Sequence, residues 1–188
     1  MAEIALATER DKERDRLAKG GFVRSLNFFD IVTPHSVDEA IHVLDHWRRR
    51  DPGGSVELTF NSPGGVVIEG FALYDAIQRL RRGGSNVTTR GTGACMSMGA
   101  ILLQAGDERI MDKNAMLMIH EVSAQFEGKT STLMDYMGLL TKWQGRALDI
   151  LSERSTMSRD EIQNKWQRKD WFLESDEALE LGFVDRVE

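Results

Sequence analysis

The sequence predicts an α/β protein: a mostly parallel sheet, helices flanking it, and one long helix that projects from the body. Three observations carry this. From Phe22 onward, stretches with strand periodicity alternate with stretches of helical periodicity. Glycine- or proline-containing breaks separate many of them, as at Asp51-Pro52-Gly53-Gly54 and Gly83-Gly84. One run, Ala115-Met116-Leu117-Met118-Ile119, is apolar throughout, as expected of a strand covered on both faces. Strands that alternate with helices in this way are joined by crossovers, which makes neighbouring strands parallel.

Taken in order, Leu26, Phe28, Phe29, Ile31 and Val32 read as a first strand closed by Thr33-Pro34. Ser36 is a candidate N-cap with Glu39 as its capping-box partner, and Val37, Ile41, Leu44 and Trp47 give the following helix one apolar face. Val56, Leu58 and Phe60 alternate with polar residues as a second strand. After Asn61-Ser62-Pro63-Gly64-Gly65, the apolar stripe Val66, Gly70, Leu73, Ile77 and Leu80 predicts a helix, with Arg81-Arg82 at its C-terminal end. Val87-Thr88-Thr89 is a β-branched strand, and Gly91-Thr92-Gly93 leads to a helix over 97–105. Ile110-Met111 is a short strand. A long helix is predicted over 131–153, with Leu133, Met137, Leu140, Ala147, Leu148 and Leu151 on one side. Tyr136, Leu139, Trp143 and Ile150 widen that apolar face, so the helix is expected to cover a second surface as well as its own body. Ser158 to Glu161 is a capping box, Trp171-Phe172-Leu173 a strand, and Ser175 opens a last short helix.

Residues 1–21 stand apart as a charged N-terminal arm, with Glu9 to Arg16 a mixed-charge run; residues 22–188 are expected to form one domain. Of 188 residues, 24 are Lys or Arg and 30 Asp or Glu, a net charge of -6 that gives a nucleic-acid-binding role no support. The single cysteine, Cys95, cannot close an internal disulfide. No Cys/His spacing matches a zinc site, and no apolar run is long enough to span a membrane. With no export pattern at the start, a cytoplasmic protein without metal or cofactor is expected.

One hydroxyl is placed to become a nucleophile. Ser97 stands where a glycine-rich turn enters a buried helix, among Gly93, Ala94, Gly99 and Ala100; free backbone N–H groups at such an end favour developing negative charge. A serine that only caps its helix would read the same way. Gly64-Gly65 lies at another strand-to-helix switch and leaves backbone N–H groups open to a ligand, or makes a tight turn; Val66-Val67 replaces the Lys-Ser/Thr that a phosphate loop needs. His120 ends the buried strand at the same sheet edge, where a general base for Ser97 would stand. Asp170, just before Trp171, can fix the imidazole tautomer; Asp112, Asp176 and Asp185 fit that role equally by spacing. Cys95 reads as a packed thiol. His42 and His46 are one helical turn apart, with no third ligand nearby.

Together these residues resemble the ClpP family, the proteolytic subunit of the Clp protease. The marks are Asn61-Ser62-Pro63-Gly64-Gly65, Tyr74-Asp75-Ala76-Ile77, Gly93 to Ala100, Met118-Ile119-His120, and Arg168 to Leu173 with Glu177-Ala178 and Leu181 to Asp185. The resemblance runs from Phe28 to Val187 and implies a ClpP/crotonase-like fold with a handle helix. It also implies a serine endopeptidase with Ser97 as nucleophile, His120 as base and acid, and Asp170 as orienter. The backbone N–H groups of Gly65 and Met98 would form the oxyanion hole. Polypeptide substrates, heptameric or stacked heptameric rings and an AAA+ unfoldase partner are further implications. Met96 before the serine, Glu121-Val122 after the histidine and the segment before Phe28 depart from the family's usual pattern. Phe29-Asp30, Thr33-Pro34 and the Trp-Phe-Leu and Leu-Gly-Phe segments also resemble ClpP-like prohead peptidases of tailed phages. A ring or scaffold protein with a misaligned triad, and a crotonase-like acyl-CoA enzyme, are the competing expectations.

Overall fold

A computed structural model describes residues 24–188. The N-terminal arm expected over 1–21 lies outside the described residues.

The chain runs β1 (Arg24–Phe28), α1 (Pro34–Arg50), β2 (Val56–Ser62), α2 (Val67–Arg82), β3 (Val87–Met96), α3 (Met98–Leu103), β4 (Glu108–Met111) and β5 (Met116–Ile119). Then follow α4 (Thr130–Arg154), α5 (Arg159–Trp166), β6 (Trp171–Glu174), α6 (Ser175–Glu180) and β7 (Arg186–Val187). Seven strands join in one sheet: β1, β2, β3, β4 and β7 lie side by side and parallel. β5 also runs parallel to β3, and β6 pairs antiparallel with β5. The mostly parallel sheet read from the sequence is therefore present.

β3 is a forked strand. Its residues 88–91 pair with β4, whereas Ala94, Cys95 and Met96 pair with β5. Gly93 turns the chain between the two ladders at φ +59°, a conformation open to glycine. The sequence pattern shows strand character only at Val87-Thr88-Thr89, because the glycines after it conceal a strand that continues to Met96.

α1 and α2 pack against each other and against β1–β2 through Leu44, Leu58, Phe60, Leu73 and Ile77, all buried. Each such side chain contributes about 1.5–3 kcal/mol by leaving water. The cap of α1 is Thr33, not Ser36. The Ser36 N–H donates to Thr33 Oγ1 and the Thr33 N–H to Ser36 Oγ, a reciprocal box set three residues earlier than expected. β1 likewise ends at Phe28; Phe29 and Ile31 are exposed, and the Ile31 N–H is taken by the Asp30 carboxylate.

α4 divides in two. Ala147, Leu148 and Leu151 near its C-terminal end are buried, while Met134 and Met137 are 68% and 62% exposed. Its last residue is pinned: Arg154 donates to the carbonyls of Gly106 and Asp107 and to the carboxylate of Asp185. Asp185 in turn accepts a two-pronged pair from Arg109, a guanidinium only 2% exposed whose Nη1 also donates to Gln104. Among the described residues, no helix is long and apolar enough to cross a membrane.

Candidate active site

Ser97 sits between β3 and α3 with φ 53°, a left-handed conformation that a side chain rarely adopts. Two contacts hold it there. Its N–H donates to the Met118 carbonyl at 2.8 Å, tying the turn to β5. The loop after β2 presses on it from the other side: a Cβ added to Gly64 (φ +93°) would lie 2.6 Å from Ser97 Cβ and 2.7 Å from the Met96 carbonyl. Backbone strain kept by such over-determined packing is a mark of functional turns.

The side chain of Ser97 does not cap α3, although it occupies the N-cap position. Its hydroxyl points to His120 instead, with Oγ and Nε2 2.8 Å apart. The capping alternative for this serine is therefore not what the structure shows. His120 is delivered by β5, one residue beyond Ile119, as the apolar run predicts. Both side chains are half-buried.

Asp170 arrives by a different route. Ile119 faces Trp171 in the antiparallel β5–β6 ladder, so the next step of the same register sets His120 opposite Asp170. The Asp170 carboxylate is exposed and makes no hydrogen bond or ion pair with another described residue. Two of its three rivals by spacing are engaged elsewhere: Asp185 binds Arg109 and Arg154, and Asp112 binds Arg90; Asp176 lies in the first turn of α6.

Two backbone donors border the same place. Met98 is the first residue of α3, so its N–H has no acceptor within the helix. Val32 bridges Gly65 by taking the Gly64 carbonyl and giving its own to the Val66 N–H, which turns the Gly65 N–H away from Val32. Gly65, Met98, Ser97 and His120 line one cleft with Val67, Ile101, Ile119, Ala147 and Trp166 as apolar walls. Glu121, Val122 and Ser123 complete it, and Phe126 further along stacks on Tyr136 of α4 with ring centroids 4.2 Å apart.

Cys95, two residues before the serine, is fully buried; burial pushes its thiol up to about 12, which keeps it protonated and inert. His42 Nδ1 bonds the Asp38 carbonyl, and among the described residues no three His, Cys, Asp or Glu side chains gather as a metal site. The lining roles of Trp166 and Ala147 were not visible in the sequence, because both reach the cleft from elements remote in the chain; only an α4–α5 packing pattern would have signalled them.

A strained serine bonded to a histidine beside two bare amide donors is the class of site by which serine hydrolases make a hydroxyl nucleophilic. The chain belongs to the Clp protease family, whose model matches residues 23–188. It is similar to the ATP-dependent Clp protease proteolytic subunit of Deinococcus radiodurans, 32% identical over 140 residues, covering 73% of this chain and 67% of the relative. Proteolytic subunit 2 of Tropheryma whipplei is 33% identical over 139 residues, covering 73% and 75%. Proteolytic subunit 1 of Chlamydia muridarum is 32% identical over 168 residues, covering 87% and 85%. The α/β architecture with its mostly parallel sheet agrees with the ClpP/crotonase-like fold expected from the resemblance.

Proposed function

We propose that the chain is a serine endopeptidase acting on polypeptides, with Ser97 as nucleophile. The observation that carries the reading is the 2.8 Å contact between Ser97 Oγ and His120 Nε2 at a strained strand-to-helix turn. Ser97 Oγ attacks a peptide carbonyl while its proton passes to His120 Nε2. The oxyanion is met by the N–H groups of Gly65 and Met98, each such donor being worth ~10²–10³ in rate. His120 then gives its proton to the leaving amine, and water enters to release the acyl group by the same steps in reverse roles.

Asp170 is the orienter in this reading. Its register position opposite His120 supports the role. The exposed apolar side chains of α4, Met134, Tyr136, Met137 and Leu139, support assembly into rings, of seven or two stacked sevens as the family resemblance implies. Docking of an AAA+ unfoldase, and a cytoplasmic setting, rest on the same resemblance.

The test is Ser97→Ala. Cleavage of unfolded protein substrates and labelling by a fluorophosphonate are expected to fall about 10⁴-fold or more, with thermal stability kept. Cleavage at wild-type rate in that variant would end the proposal. A second reading, a catalytically impaired ring or scaffold protein of the same fold, is favoured by the missing hydrogen bond between Asp170 and His120. It predicts no labelling of the native protein at all.

A further inference from the structure

One side chain in the cleft has no use in the chemistry above. Glu121 follows His120 directly and lines the cleft beside Ser97, half-buried. Its carboxylate makes no hydrogen bond or ion pair with another described residue. His120 is the only other ionisable side chain among the described residues lining the cleft. The rest of the wall is largely hydrocarbon, with Val67, Ile101, Ile119 and Ala147 as examples. A largely apolar cleft edged by a residue whose carboxylate has no partner suits a side chain of matching build: a long aliphatic stem ending in a cation.

We infer that Glu121 is a specificity-determining residue which selects lysine or arginine on the acyl side of the scissile bond. The stem lies along the apolar wall, and the ammonium or guanidinium head meets the Glu121 carboxylate. Half-burial limits how far water screens the pair, and a substrate carboxylate in the same place would be repelled. The inference rests on the peptidase reading for its meaning, yet binding can be measured without turnover.

The Ser97→Ala protein is titrated, by fluorescence anisotropy, with labelled peptides that differ at one residue only: lysine, norleucine or glutamate. Norleucine keeps most of the stem and removes the charge. Lysine is expected to bind about fivefold more tightly than norleucine at low salt, with glutamate weakest. The advantage shrinks at about 0.5 M salt. Adding Glu121→Gln brings the lysine-to-norleucine ratio to about one, and Glu121→Lys reverses the order in favour of glutamate. Equal affinities in the Glu121 protein, absence of binding by all three peptides, or a ratio unmoved by Glu121→Gln overturns the inference. A lysine preference found only on the leaving side of the bond overturns it as well. Serine labelling of the protein that retains Ser97 is scored separately. Labelling without a lysine preference defeats this inference alone, and a lysine preference without labelling defeats the peptidase reading alone.

Discussion

The turn at Ser97 and the projecting half of α4 draw on the same residue types and end in opposite surroundings. At the turn, Met98 is buried and Gly64 has no room for a single added carbon. On α4, Met134 and Met137 stand in the open and Gly138 has nothing within 4 Å of where a side chain would begin. Hydrophobicity alone therefore does not say whose core a residue serves. The turn is closed by its own chain, whereas the helix offers a surface that its own chain leaves uncovered.

Three substitutions test that contrast, in falling order of effect. Gly64→Ala forces a β-carbon against Ser97 and demands φ +93° of an alanine. A loss of about 3 kcal/mol or more in urea unfolding, together with loss of fluorophosphonate labelling, is expected. A variant that unfolds and labels like the parent would show that the loop is not wedged against the turn.

The second concerns the foot of α4, where the projecting helix meets the body. Burial raises the Asp185 carboxyl, but hydrogen bonds and charge from Arg109, with Arg154 adding to them, outweigh it and hold the group below its ordinary 3.8. A carboxyl depressed by folding stabilises the fold above its ordinary pKa, and that contribution vanishes as pH falls through the folded value. Asp185→Asn is thus expected to lower stability at pH 7 and to flatten the loss below about pH 4, so that the two denaturation curves converge in acid. Parallel curves across that range would remove Asp185 from the acid response.

The smallest effect is a gain. Gly138→Ala on the open half of α4 should raise the stability of the unassembled chain by roughly 0.5–1 kcal/mol, since the helix interior favours alanine and no described residue of the same chain lies in its way. A loss at that position would mean that another copy of the chain packs there in solution, and a sedimentation measurement on the same variant would show it.

What could be read in advance follows from locality. The apolar run ending at His120 and the small residues around Ser97 announce a buried strand and a buried helix start from neighbours in sequence. The fork of β3 is hidden because its glycines look like a loop; they are needed where one strand leaves one partner for another. β7 is two residues long, and only its pairing with β4 makes it a strand. The α1 cap lies three residues before the position that the sequence suggests, since Thr33 and Ser36 present the same hydroxyl chemistry and the two bond each other. Asp170 could be singled out by spacing no better than Asp112 or Asp185. The β5–β6 ladder brings Asp170, and neither of the others, next in register to His120, and that pairing joins segments about fifty residues apart.

The bond from the Ser97 amide to the Met118 carbonyl has a mechanical consequence. It fastens the serine to the strand that carries the histidine two residues further on. Hydroxyl and imidazole thus hang from a single strand, and one element sets the spacing between them.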